Sequence, residues 1–268
     1  PYQQTPDVAG MLAQGWVVAI TDYPGLGTPG IHPYMVGRTA AHSVLDMVRA
    51  AQQIPASGAG SSFVVWGASQ GGNTAFWVGQ LAADYAPELT LKGVAASAPA
   101  LNLREIAAYN HDKPAGGIFM GMVFAAWDQV YAEASLQAIL KPDAADAFQR
   151  MIRPCFTAPA GFLSALADLR TPQEYLAVDI LATPPWPGLF DHNSPDGPIA
   201  VPMVIAHGTA DALIPIALSE QAVSRRSRRG ETIQIIRLPG VGHDARDESA
   251  GYLMTWVQER FEGQGPTR

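Results

Sequence analysis

A chain of 268 residues in which 48% are hydrophobic and only 15% charged carries enough apolar side chain to bury a large core, which excludes a mainly disordered protein. A formal net charge of −7 at pH 7 argues against a nucleic-acid surface, because phosphate binding needs a concentrated basic face. The single cysteine, Cys155, excludes an internal disulfide framework and a cysteine-based zinc site, and no metal is expected.

In chain order, short β-like runs alternate with longer helical ones, the pattern of an α/β protein with a mostly parallel sheet and helices on both faces. "PDVAGMLAQG" reads as a helix leading into a first predicted strand, Trp16 to Thr21. A helix over Arg38 to Ala51 precedes a second strand, Ser62 to Trp66, and a helix over Gln70 to Ala86 precedes a third, Leu91 to Ala96. The fourth strand, Val201 to His207, is followed by a helix over Ser219 to Arg229. The fifth, Thr232 to Leu238, is followed by one over Ser249 to Glu262. The near-continuous apolar character of these strands suits burial on both faces. Arg225, Arg226, Arg228 and Arg229 stand just before Gly230, where cations complement a helix dipole and glycine caps the helix.

The third and fourth strands are separated by far more than the roughly 10–12 residues that a parallel crossover requires. The excess predicts an inserted helical cap or lid over residues 101–196, with the core built from residues 1–100 and 197–268. Within the insertion, "TPQE" (Thr171 to Glu174) has the form of a capping box with proline at the first helical position. The run from Gly116 to Trp127 is apolar nearly all round, so it is either the insertion's own core or the lining of an apolar ligand pocket. No stretch reaches the roughly 18 apolar residues of a membrane span, so no transmembrane segment is expected.

Chemistry concentrates at "VVWGASQGGNT". A strand that turns into a helix through Gly67-Ala68-Ser69-Gln70-Gly71 has the form of a nucleophile elbow, which strains the serine backbone and lifts Oγ above the sheet. Gly67 and Gly71 are expected to be glycines because side chains there would collide. Serine is a weak nucleophile at neutral pH, so this predicts a histidine base and a carboxylate that orients it. In this architecture the acid follows a late strand and the base follows the last one.

"VIAHGTADALIP" puts Asp211 just beyond the fourth strand, and "IIRLPGVGHDA" puts His243 after the fifth. His32, His42, His111, His192 and His207 are placed less well for the base, His207 reading as a hydrogen-bonded structural residue. Asp244 and Asp191 are the rival acids. One oxyanion donor is expected from the N–H of Gln70, the residue after the serine. A second is expected from "TDYPGLG", through Asp22 or Tyr23, although that segment also reads as a plain Pro-Gly turn.

Together, "AQGWVVAITDYPGLGT", "GRTAAHSVLDMVRAA", "VVWGASQGGNTAFWVG", "VPMVIAHGTADALIP" and "GVGHD" resemble the secretory lipase family of α/β-hydrolases, from about Pro6 to His243. The resemblance implies Ser69, Asp211 and His243 as a triad, with Asp22 and Gln70 as oxyanion donors through their backbone N–H groups. It also implies hydrolysis of lipophilic carboxylic esters by a secreted enzyme that needs no cofactor.

One departure concerns the sheet. An α/β-hydrolase sheet has a strand between the first two predicted here, and nothing before Trp16 supplies it. An unfilled gap would leave buried N–H and C=O groups unpaired. The expectation is that an upstream portion of the protein completes the sheet, and it is also a candidate source of a partner for Cys155. A serine peptidase, an acyltransferase and a non-catalytic binding module are other functions the same fold supports.

Overall fold

A computed structural model describes residues 5–152 and 169–263; Cys155 lies outside them. The described elements, in chain order, are helices α1 (Val8–Ala13) and α2 (Gly37–Gln52), strand β1 (Ser62–Ala68), α3 (Gln70–Tyr85) and β2 (Thr90–Ser97). Helices α4 (Leu103–Asn110), α5 (Pro114–Val130), α6 (Leu136–Ile139), α7 (Ala145–Ile152), α8 (Pro172–Tyr175) and α9 (Trp186–His192) come next. The chain then forms β3 (Met203–Gly208), α10 (Ile216–Arg228), β4 (Ile233–Leu238) and α11 (Arg246–Phe261).

The strands form a four-stranded sheet in the order β1-β2-β3-β4, every pair parallel. Alternate side chains point to opposite faces of a strand, and here the two sets enter two cores. Phe63, Val65, Val94, Ala96, Met203 and Ile205 pack with α2, α3 and α10 through residues such as Leu45, Phe76 and Ala222. The intervening Ala95, Val204 and Ala206 pack with Leu253, Trp256 and Val257 of α11.

The predicted strand at Trp16 to Thr21 is not formed. The segment is extended, but a strand exists only through its ladder. Among the described residues none pairs with it, and β1, at the sheet's edge, is not its neighbour. Its apolar side chains report packing rather than pairing: Trp16 lies 5.4 Å, centroid to centroid, from the ring of Phe261 and joins the α11 face, while Val17 is exposed.

The chain divides into two compact units. Among the described residues, one comprises 5–28, 37–101 and 194–263 and contains the sheet; the other comprises 29–36, 102–152 and 169–193. The second unit is helical and has an aromatic centre. Phe124 of α5 meets Trp186 edge-on at 5.2 Å, and Trp127 lies 5.3 Å from Phe190. The Trp127 Nε1–H donates to the Tyr34 carbonyl at 3.1 Å, tying in the short N-terminal piece of the unit. Most of the apolar run of α5 therefore belongs to the core of its own unit, while Phe119 is exposed. The capping box at Thr171 is formed, with the Glu174 N–H donating to Thr171 Oγ1 at 3.2 Å and the Thr171 N–H to the Glu174 carboxylate at 2.6 Å.

The arginine cluster holds more than a helix end. α10 does close on a glycine, Gly230, at φ 81, with Glu231 N–H donating to the Arg226 carbonyl and Gly230 N–H to that of Ser227. Arg226, however, is buried. Its guanidinium donates to the Glu231 carboxylate at 2.6 Å and to the carbonyls of Gly197 and Pro195, and it lies over the ring of Phe76. Removing one partner of a buried pair leaves the other desolvated and uncompensated. Arg226→Met is expected to destabilise the fold by about 3 kcal/mol, read as a lower urea midpoint at unchanged slope.

Candidate active site

Ser69 sits between β1 and α3 with φ 52 and ψ −112, a backbone conformation that side chain-bearing residues rarely adopt. Surrounding contacts hold it there. Its N–H donates to the Ser97 carbonyl at 2.9 Å, and its own carbonyl accepts from Asn73 and Ala100. Asn73 adds a side-chain hydrogen bond to the Ala100 carbonyl at 2.8 Å, so the turn is braced against the end of β2.

The crowding expected at both elbow glycines is found at one of them. A Cβ on Gly67 would lie 2.1 Å from the Gly71 carbonyl oxygen, whereas one on Gly71 would meet nothing nearer than the Tyr23 hydroxyl at 4.0 Å. The approach is one-sided, the backbone of the first helical turn passing over residue 67. The glycine that sequence reasoning missed is Gly72, where a Cβ would lie 2.6 Å from that of Pro99.

Asp211 and His243 come from the loops after β3 and β4, which are stitched together. Thr209 N–H donates to the Leu238 carbonyl at 3.0 Å, Ala210 N–H to that of Val241 at 2.9 Å, and Gly240 N–H to Thr209 Oγ1 at 2.9 Å. This close passage requires Gly208, where a Cβ would lie 2.2 Å from the Val241 carbonyl oxygen. His243 reaches from this pair of loops to the elbow. Its Nδ1 lies 2.8 Å from Asp211 Oδ2 and its Nε2 2.9 Å from Ser69 Oγ. In the tautomer these partners select, Nδ1–H donates to the carboxylate and Nε2 accepts the serine proton.

Asp211 is itself held by further donors. Oδ1 accepts the N–H groups of Leu213 and Ile214 at 2.9 and 2.8 Å, and Oδ2 accepts from His207 at 3.0 Å as well as from His243. Burial pushes its carboxyl upward, but the hydrogen bonds from His207 and His243 outweigh this and hold it well below the usual carboxylate range. The acid is thus ionised throughout neutral pH.

The rival residues are engaged elsewhere. Asp244 is paired with Arg246 at 2.7 and 2.8 Å, and Asp191 with Arg104. Among the other histidines, His42 stacks on Tyr85, His192 meets Tyr131 and His32 meets Tyr34.

Gln70 is the first residue of α3, where helix N–H groups point out of the end toward any developing negative charge. Asp22 lies just before the Pro24-Gly25 turn, which closes with Leu26 N–H donating to the Tyr23 carbonyl and with Gly25 at φ 79. The plain-turn reading is therefore right as far as it goes. The turn is also tied to the elbow helix, because the Tyr23 hydroxyl bonds Thr74 Oγ1 at 3.2 Å and Thr74 in turn donates to the Gln70 carbonyl. Burial raises the Tyr23 phenol pKa, with the Thr74 bond opposing, so Tyr23 remains a neutral hydroxyl.

Among the described residues no group of three or more histidine, cysteine, aspartate or glutamate side chains is arranged to hold a metal ion, and no helix is long and apolar enough to cross a membrane. The family signature described as "Secretory lipase" matches residues 4–268. Lipase A of Arthroderma benhamiae is 25% identical over 96% of this chain and 55% of its own length. A Mycobacterium tuberculosis protein named "Probable inactive lipase" is 24% identical over 96% of this chain and 58% of its own. Candida antarctica lipase A is similar in structure, with a TM-score of 0.73 at 18% identity, over 88% of this chain and 57% of that one. The chain therefore has the α/β-hydrolase fold and spans little more than half the length of these relatives.

Proposed function

Because the chain belongs to the secretory lipase family, we propose that it is a secreted serine carboxylic ester hydrolase acting on lipophilic esters. The observation that carries this reading is the unbroken relay from Ser69 Oγ through His243 to Asp211, at 2.9 and 2.8 Å. Family membership alone is a weaker support, since one relative bears the name of an inactive lipase.

In the proposed reaction His243 Nε2 takes the Ser69 proton as Oγ attacks the ester carbonyl, and Asp211 stabilises the imidazolium that forms. The oxyanion develops at the N-terminus of α3, where Gln70 N–H, with Asp22 N–H from the neighbouring loop, is its donor. Collapse of the tetrahedral intermediate releases the alcohol with the proton that His243 returns. Water, activated by the same histidine, then frees the acid from the acyl-enzyme. Every step moves protons and an acyl group, so the chemistry calls for no cofactor.

The substrate class is tested with p-nitrophenyl esters running from acetate to palmitate at equal concentration. Octanoate and longer esters are expected to give higher kcat/KM than acetate. A panel in which acetate is hydrolysed best would count against a lipophilic acyl group.

A further inference from the structure

His207 is the second imidazole on the acid. It occupies the penultimate position of β3, has no exposed surface, and lies four residues before Asp211 in sequence. Its Nε2 faces two acceptors, Asp211 Oδ2 at 3.0 Å and the Ile214 carbonyl at 2.9 Å, so Nε2 carries a proton. Its Nδ1 faces the hydroxyl of the buried Ser219 on α10 at 2.8 Å, which donates to it in the neutral ring. The ring is therefore fixed at both nitrogens, and its one N–H is aimed at the oxygen that also receives His243.

We propose that His207 is a positioning residue for the reaction: its Nε2–H fixes Asp211 Oδ2 on the line to His243 Nδ1, and Ser219 fixes the ring that does so. This inference rests on the ester-hydrolase reading for its consequence in catalysis. The geometric argument concerns rotation. Oδ1 is pinned by the N–H groups of Leu213 and Ile214, but both lie on the short loop that carries Asp211 itself and move with it. His207 is rooted in the sheet, paired through β3 to Arg237 of β4, and so refers the carboxylate to a rigid element.

It also grips both ends of the acid loop, at Asp211 and Ile214. The charged groups around this couple are otherwise engaged. Asp244, beside His243, is held by Arg246, and Glu220, beside Ser219, by Arg237. The charge of Asp211 is accordingly shared between two imidazoles.

The test compares His207→Leu, His207→Gln and Ser69→Ala with wild type. Glutamine retains an N–H for the carboxylate and an acceptor for Ser219; leucine retains neither. His207→Leu is expected to lose roughly tenfold to a hundredfold in kcat with KM little changed, the range for a hydrogen bond to a charged group. The acid limb of its kcat/KM profile, where the base at His243 takes up a proton, is expected to move up by about one pH unit, because a carboxylate with one N–H donor fewer stabilises the neighbouring imidazolium more strongly. His207→Gln should recover most of kcat and the wild-type limb. Limb position does not depend on how much protein is folded, so a fall in yield cannot mimic the result.

A readout independent of turnover is the downfield proton resonance of His243 Nδ1–H, recorded in the Ser69→Ala background. Its displacement or broadening with leucine, and its retention with glutamine, supports the positioning role. A limb and a resonance unchanged by leucine, or glutamine as damaging as leucine, overturns it. Wild-type hydrolysis that survives Ser69→Ala would instead sink the ester-hydrolase reading, while the resonance still decides the role of His207.

Discussion

Ser69→Ala is expected to lower kcat/KM for ester hydrolysis by about 10⁴-fold to 10⁶-fold while leaving the protein folded, the range seen when a triad nucleophile is removed. The reason for so large an effect is that nothing else at the elbow replaces Oγ as the acyl acceptor. His243 Nε2 would still be in place, but direct attack by water lacks the orientation that the strained turn confers on the serine. The reason the fold should survive is equally local. Residue 69 is held through its backbone, by Ser97, Asn73 and Ala100, and its side chain makes no capping hydrogen bond to α3. Alanine keeps the positive φ at the same cost as serine, so thermal unfolding should shift by no more than a few degrees. The decisive measurement is initial rate on the ester panel beside a melting curve for the same preparation. A folded Ser69→Ala protein that hydrolyses esters at wild-type rate would remove the serine from the mechanism and, with it, the proposed function.

The parts of this molecule that could be read from sequence are those where a local pattern and a global constraint coincide. β2 and β3 are apolar runs buried on both faces for most of their length, β1 and β4 lie at the sheet's edges and are only partly buried, and each of the four lies within a residue or two of its expected limits. The elbow was readable because glycine, serine and glycine stand where a strand gives way to a helix. Asp211 and His243, distant in sequence from Ser69, were singled out by their places after the last two strands and by the family resemblance, and the structure sets them in one hydrogen-bonded chain with Ser69. Trp16 to Thr21 shows the opposite case, since an apolar extended run becomes a strand only if another strand lies beside it, and no local pattern records that. The crowding at Gly72 and Gly208 was unreadable for the same reason: it depends on which backbone passes over which residue. His207 carried a signal in "HGTAD", a histidine at the end of the strand that leads into the loop of Asp211. Its purpose depends on Ser219 and Ile214, which the sequence does not connect to it.

Asp211→Asn is expected to cost about 10⁴-fold in kcat/KM, the effect of giving a triad histidine the wrong tautomer. The arrangement around the acid explains why an isosteric change should be so harmful. All four hydrogen bonds converging on the carboxylate come from N–H groups: Leu213 and Ile214 on Oδ1, His243 and His207 on Oδ2. An amide supplies one acceptor and one donor, so one side must set N–H against N–H. If the NH₂ group takes the Oδ2 position, it donates to His243 Nδ1 and leaves the proton on Nε2, facing Ser69 where the base should be. If it takes the Oδ1 position, it opposes two backbone N–H groups and loosens the loop.

The first arrangement destroys catalysis and also sets the NH₂ group against the His207 Nε2–H, the second loosens the loop, and either one removes a buried charge. A carboxyl depressed in the folded state stabilises the protein above its unfolded pKa of about 3.9 and loses that contribution as pH falls toward the folded value. Asp211→Asn should therefore lower the melting temperature at neutral pH, with the difference from wild type shrinking as the solution is acidified below about pH 4. An Asp211→Asn protein that keeps both wild-type kcat/KM and a wild-type melting profile would mean that His243 takes its orientation from some group other than this carboxylate.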